Sequence, residues 1–392
     1  MNMKFNKKLF ARLTSAALII VMIFSFAACK KDKGKTPESE IKLPDKKVAI
    51  LVAPEAQYPE DYKAAAELAN EYSGKVIVKE YSDSRVLKAG DPQIMTLSKE
   101  LAEDSEIGAI IYARATQFTS NAINAAKSIN PSLVTVCIEP EESVEKLAEI
   151  SDLVLCADWS KAASDIVSAA KEQGAKYFVV FSHNRHLSEN PMIAAENAAI
   201  KAACAEQGLT YVYESSYDPI YSGGIKTAKQ FIKEAVTRLT ANKKIEGSDV
   251  ALFSTDSSVQ STIVEVAESN GMIYVCPSFP TAYNGLGEAY EIAMPEKIND
   301  VDKYLAAAKT ALKDSKGRFS AYKFPLASTM LRGALHCTFD LLNATATSEN
   351  LSEKVTERLT AAAANDAFAV SAYDSALNNV FAAYCPGFEK IK

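Results

Sequence analysis

Catalytic signatures are missing from this sequence. No GxSxG, HExxH, P-loop or GxGxxG pattern occurs in its 392 residues, which removes the nucleophile elbow, the zinc-protease helix, the phosphate-cradling loop and the dinucleotide turn as motifs. Histidine is scarce: the chain has three, and only His183 and His186 lie close enough in sequence to share a metal. A stable site wants a third protein ligand and His336 is distant, so no metal is expected. Ser182 beside His183 is adjacency at a strand end, where neighbouring side chains point apart, and not a triad. Basic charge is also short, with 43 Lys and Arg against 49 Asp and Glu and a net charge of −6, which argues against a nucleic-acid partner. No two cysteines form a CxxC pair; Cys137, Cys156 and Cys276 sit inside apolar runs where a thiol behaves as a small core residue. The expectation is a chain without enzymatic activity and without a cofactor.

What is present begins with a leader. Lys4, Lys7, Lys8 and Arg12 form a cationic head, Leu13–Phe26 is apolar and short for a spanning helix, and Ala27 and Ala28 lead into Cys29. FAAC resembles the bacterial lipobox, with Phe26 where that pattern more often has Leu. The resemblance implies a signal peptide over 1–28, lipidation of Cys29 and an extracytoplasmic, membrane-anchored chain. Residues 29–45, rich in Lys, Asp, Glu, Ser and Pro, read as a flexible tether.

Beyond the tether, short apolar runs alternate with helical stretches. Val48–Val52, Val76–Tyr81, Ile107–Tyr112, Leu133–Ile138 and Leu153–Cys156 are continuous strands of the kind a parallel sheet buries on both faces. A second series follows: helix Lys161–Gln173 stopped by Gly174, strand Tyr177–Phe181, helix Pro191–Gln207 stopped by Gly208, and strands Leu209–Glu214, Val250–Ser254 and Met272–Cys276. The predicted class is α/β, with two doubly wound parallel-sheet lobes joined by a hinge: lobe 1 over 46–157, lobe 2 over 158–276. Residues 277–392 are expected to return to lobe 1 and to end in a helical segment across the hinge. Within that part SKGRFSAYKFP reads as an exposed connection, and Ala327–Asn343, Leu351–Ala364 and Ala372–Ala383 as helices.

VAILVAP at the first strand, DLVLCADWSKAASDIVSAAKEQGAKYFVVFS at the lobe crossing and VALFSTDSSVQSTIVEVAESNGMIYVC near the second crossing are similar to type I periplasmic solute-binding proteins of the sugar- and nucleoside-binding branch, which share their lobes with LacI-type ligand domains. The resemblance covers roughly Lys46–Pro280. No helix-turn-helix precedes the first strand, and a lipobox stands there instead, which favours a binding protein over a repressor. The implied role is capture of a small polar ring-bearing ligand for an ABC transporter permease; a sensory lipoprotein addressing a membrane receptor is the alternative. By the same resemblance Arg185, Asp256 and Ser278 occupy positions that contact ligand.

In open parallel sheets ligands lie beyond the carboxyl ends of the strands. Those ends carry Tyr58, then Asp83, then Arg114, Gln117 and Phe118 in the first lobe, and His183, Asn184, Arg185, His186, Tyr217 and Asp256 in the second, with Trp159 and Ser278 at the crossings. Aromatic faces suit a sugar or base, and the polar groups suit its hydroxyls or ring nitrogens. Arg114 and Arg185 together also suit a carboxylate or phosphate. Two readings stand for several of these residues: Asp256 as ligand contact or helix cap, Trp159 as ligand stack or interlobe core, Phe118 as cleft wall or staple.

Overall fold

The computed structural model describes residues 40–55, 57–82, 92–219, 223–241 and 245–392. Cys29, the leader, most of the tether and Asp83 lie outside the described residues. Among the described residues no helix is long and apolar enough to cross a membrane.

The strands are β1 (Lys47–Val52), β2 (Val76–Glu80), β3 (Ile107–Tyr112), β4 (Val134–Ile138), β5 (Leu153–Ala157), β6 (Tyr177–Ser182), β7 (Thr210–Ser215), β8 (Val250–Ser254), β9 (Ile273–Tyr274), β10 (Arg318–Tyr322), β11 (Ala369–Ala372), β12 (Val380–Tyr384) and β13 (Phe388–Lys390). They make two sheets, one of seven strands in the order β11-β12-β5-β4-β3-β1-β2 and one of six in the order β13-β10-β9-β8-β6-β7. Each sheet is parallel except for one antiparallel edge strand, β11 against β12 and β13 against β10. Val48 to Val52 and Ile107 to Tyr112 are buried throughout because helices cover both faces of the first sheet, which is why these strands read as unbroken apolar runs and not as alternation.

The helices that connect them are α1 (Pro59–Glu71), α2 (Gln93–Glu103), α3 (Thr119–Ile129), α4 (Val144–Ile150), α5 (Trp159–Glu172), α6 (Asn184–Glu189), α7 (Pro191–Gln207), α8 (Gly224–Ala241), α9 (Gln260–Asn270), α10 (Leu286–Tyr290), α11 (Val301–Ala311), α12 (Leu326–Leu342) and α13 (Leu351–Ala363). α7 shows how local chemistry sets such bounds. Asn190 caps it by accepting from the amides of Met192 and Ile193, Pro191 opens it, and Gly208 in the left-handed region at φ 78° ends it.

The expected return to the first lobe after Cys276 comes later. β10 extends the second sheet, pairing Arg318 with Ile273 and Phe319 with Tyr274. SKGRFSAYKFP is therefore not an exposed connection: Phe319, Ser320, Ala321 and Tyr322 are buried. The chain crosses back at α12, which packs on α1, β3 and β4. The helix expected over Ala372–Ala383 is also corrected. Its end forms β12, laid parallel to β5 with Val380 opposite Val154 and Ala383 opposite Ala157. Free strand edge on β5 rewards extension there, and Val380, Phe381 and Tyr384 suit a strand at least as well as a helix. β13 then returns to the second sheet, so the lobes are linked by three connections, near residues 158, 324 and 386. At the last two, Tyr322 and Tyr384 stack with centroids 6.0 Å apart, and the Tyr322 hydroxyl donates to the Cys385 carbonyl at 2.5 Å.

The described cysteines, Cys137, Cys156, Cys204, Cys276, Cys337 and Cys385, are buried free thiols, and burial pushes each of them up. α12 and α13 meet closely at Gly333, where a Cβ would stand 2.4 Å from Leu359 Cδ2 and 3.1 Å from Leu359 Cα. Gly333→Ala should therefore destabilise by about 1–3 kcal/mol through overpacking, although alanine's helix propensity offsets about 1 kcal/mol of that. The check is a lower denaturation midpoint at unchanged slope; an unchanged midpoint would show that the helices separate freely.

Candidate functional site

The carboxyl ends of the two sheets face a shared cleft, whose cavity measures about 100 Å³. The turn after β1 and the first turn of α1 bring Tyr58, Glu60 and Asp61; the end of β3 brings Arg114; the end of β4 brings Glu139. From the other side come Trp159 at the start of α5, His186 on α6, Met192 and Ile193 on α7, Thr255 and Asp256 after β8, and Ser278 and Phe279 after β9. Glu139 holds φ at 48°, a left-handed position, which folds its side chain back so that a carboxylate oxygen accepts from the amide of Ala157.

Arg114 is the centre of the first-lobe wall. Only 6% exposed, it donates from one terminal nitrogen to Asp61 Oδ2 at 3.0 Å and lies 4.0 Å from Glu139 Oε2. Its guanidinium carbon stands 4.7 Å from the Tyr58 ring centroid and 4.4 Å from that of Phe279, so it is sandwiched between aromatic faces from opposite sides of the cleft. Its Nε has no protein hydrogen-bond partner, and neither has the indole Nε1 of Trp159, whose ring meets Phe279 edge-on at 6.0 Å.

Burial dominates the acids around it. Glu60 is pushed up to about 7 by burial, against the hydroxyl of Thr281 and the amide of Ser328 that favour its charge. Glu139 is pushed up to about 7 by burial although Arg114 pulls it down, and Asp61 is raised for the same reason. Glu196 reaches about 8: it is wholly buried behind Ser278, which donates to one oxygen while the other has no partner. Each group sits in low dielectric with too few donors to stabilise the full anion.

The second-lobe wall is a linked polar cluster. Ser182 Oγ and Thr255 Oγ1 are 2.7 Å apart, Thr255 Oγ1 meets His186 Nδ1 at 3.2 Å, and His183 Nε2 meets Asp256 Oδ2 at 3.2 Å. Asp256 is both cap and cluster member: its Oδ1 accepts from the amide of Ser258 at 2.9 Å while Oδ2 faces the histidines.

Of the residues expected from sequence, Tyr58, Arg114, Trp159, His186, Asp256 and Ser278 line the cavity. Gln117, Phe118, His183, Asn184, Arg185 and Tyr217 do not. Arg185 is held away by Asp218, to which its Nε and a terminal nitrogen donate at 2.7 and 3.2 Å. Tyr217 is 48% exposed against Phe231, and Asn184 is on the surface. Gln117 bridges the carbonyls of Glu141 and Glu189 at the rim, Phe118 caps α3 at φ 72°, and His183 stands behind Asp256. Glu60, Asp61 and Glu139 were missed, as was Glu196. Glu139 had a signal, since it follows β4 as the other candidates follow their strands. Glu60 and Asp61 read as ordinary acids in a helix's first turn.

A family model described as a protein of unknown function (DUF3798) matches residues 46–320. The chain belongs to this family. The DUF3798 chain is similar to an uncharacterized protein of Treponema pallidum (strain Nichols), 29% identical over 211 residues, which are 53% of this chain and 95% of that protein. Among solved structures it is similar to a proposed transcriptional regulator from Clostridium difficile 630, with a TM-score of 0.66 at 18% identity over 89% of this chain and 100% of that one. An ABC transporter solute-binding protein from Burkholderia multivorans, carrying an unknown ligand drawn as alpha-D-erythrofuranose, superposes with a TM-score of 0.51 at 14% identity over 77% and 94% of the two chains. The fold is that of the type I periplasmic binding proteins, with two parallel-sheet lobes. At these identities the likeness speaks for fold alone, and it spans binding proteins and regulators alike.

Proposed function

We propose that this DUF3798 chain is an extracytoplasmic receptor, lipid-anchored at Cys29, that captures a small polar ring-bearing solute of sugar or nucleoside size between its lobes and presents it to an ABC importer. The carrying observation is that Arg114 and Trp159, each with a buried N–H that has no protein partner, line the same cavity as the buried carboxyls of Glu60, Asp61 and Glu139. Hydroxyl groups satisfy both sides at once, accepting from the donors and donating to the acids. A cavity of about 100 Å³ holds roughly seven to ten water-sized positions, room for one small ring and not for a chain of them. The lining carries Glu60, Asp61, Glu139, Glu141 and Asp256 against the single guanidinium of Arg114, and Arg185 is engaged by Asp218, so the charges favour a neutral or cationic ligand over an anion.

Mass spectrometry of the small molecule retained by protein purified from its native host tests this reading. A monosaccharide or nucleoside is expected; a retained peptide, or no organic molecule in a chain that also fails to bind any sugar or nucleoside in titration, would overturn it. The sole tryptophan, Trp159, should change its fluorescence on binding. Trp159→Phe keeps an aromatic ring and removes the donor, and calorimetry should show affinity about two- to tenfold weaker, the value of one neutral hydrogen bond.

A further inference from the structure

We infer that His183, His186 and Asp256 form a binding site for a divalent first-row transition-metal ion on the second-lobe wall of the cleft. One ligand atom from each lies within 4.8 Å of the others, and all three side chains are buried. His183 Nε2 is 3.2 Å and His186 Nε2 3.8 Å from the same oxygen, Asp256 Oδ2. Metal–nitrogen bonds of about 2.0–2.1 Å at tetrahedral angles place neighbouring ligand atoms about 3.3 Å apart, so the three converge at near-coordinating spacing. Two imidazoles and one carboxylate suit zinc and its neighbours better than calcium or magnesium, which take oxygen.

The groups behind the ligands point the same way. A metal-binding histidine needs its other ring nitrogen held by an oxygen. His186 Nδ1 has Thr255 Oγ1 at 3.2 Å, itself fixed by Ser182, and His183 Nδ1 has Asp218 Oδ2 at 3.5 Å, itself fixed by the two-point contact from Arg185. Asp256 uses its other oxygen on Ser258, leaving Oδ2 directed at the histidines. His183 Nδ1 also accepts from the amide of His186 at 3.5 Å, which places the ring proton on Nε2, where Asp256 Oδ2 accepts it at 3.2 Å. A bound cation would take that proton's place between Nε2 and Asp256 Oδ2, the ring proton moving to Nδ1, which lies 3.5 Å from Asp218 Oδ2. His186 and Asp256 also line the cleft, so a bound ion would keep a coordination position open toward a ligand oxygen. The third histidine, His336, is elsewhere in the first lobe, against the hydroxyl of Tyr72 at 2.9 Å.

This inference uses second-lobe residues alone and does not rest on the sugar reading. The test takes the untagged full chain, stripped by a chelator, and titrates Zn²⁺ by calorimetry and Co²⁺ by its visible d–d absorption. About one ion per chain is expected, with intense Co²⁺ bands that Zn²⁺ displaces. His183→Gln, His186→Gln and Asp256→Asn should each abolish saturable binding, with circular dichroism and melting curves reporting the fold. Asp218→Asn, which leaves every ligand in place, should weaken Zn²⁺ about ten- to hundredfold and gives a reading even where a ligand variant fails to fold. No stoichiometric uptake by the wild type, or unchanged affinity in the folded variants, overturns the site. A stripped chain that binds sugar and takes up no Zn²⁺ removes this inference and leaves the proposed function; stoichiometric Zn²⁺ with no organic ligand does the reverse.

Discussion

Arg114→Met is expected to destabilise the protein by about 3–5 kcal/mol at neutral pH, the range for removing one partner of a buried ion pair. Methionine preserves the apolar stem between Tyr58 and Phe279, so the loss isolates charge. Asp61, 3.0 Å away, and Glu139, 4.0 Å away, would then be buried acids without the cation that pairs with them. Both are already raised by burial, and Arg114 is the main charge that opposes the shift. Without it they hold protons to higher pH. A carboxyl whose folded pKa lies above its unfolded one stabilises the fold at low pH and loses that contribution as pH rises through the folded value. The deficit of the variant should therefore be small near pH 5 and largest near pH 8. Denaturant titrations at several pH values decide it: a deficit below about 1 kcal/mol, or one independent of pH, would mean that Arg114 acts only through its stem.

Glu196→Gln should have the opposite sign. The folded carboxyl sits at about 8 against an ordinary 4.5, chiefly through burial. Its contribution is present below about 4.5 and is lost between there and about 8, at up to about 1.4 kcal/mol per pH unit. Glutamine does not titrate and keeps the shape, although one of its N–H groups is left where Glu196 Oε1 has no partner. After about 1–3 kcal/mol for that orphan donor, the variant should exceed wild type by about 3 kcal/mol at pH 8 and fall level with it or below near pH 4.5. Glu60, near 7, adds to the pH slope of both proteins and cancels in the difference, whereas Glu139, also near 7, is coupled by charge to Glu196 and cancels only in part. A difference flat in pH would show that Glu196 does not titrate in this window.

How far the site was legible follows from where each residue's signal lies. Tyr58, Arg114, His186 and Asp256 were found because they end strands of parallel sheets, and strand ends are readable from apolar runs. Arg185 fails the same rule because a strand end fixes position but not direction, and Asp218 turns it away. Glu196 was invisible because nothing in PMIAAENAAIKAACAEQ says which face of that helix meets Ser278. The histidine pair lacked a third ligand in sequence because Asp256 lies 73 residues from His183 and reaches it only when β8 pairs with β6.

By itself the sequence determined the α/β class, the bounds of helices such as α7 and the strands β1 to β9, because caps, glycine stops and apolar runs act within a few residues. Tertiary structure alone decided that residues 277–322 stay with the second lobe, that Val380–Tyr384 is a strand, that buried acids and His186 share one cleft, and that His183 and Asp256 meet His186 beside it. Those outcomes depend on which sheet edge offers unpaired backbone groups and on which side chains two packed surfaces leave without water. Both are set by contacts between segments far apart in the chain.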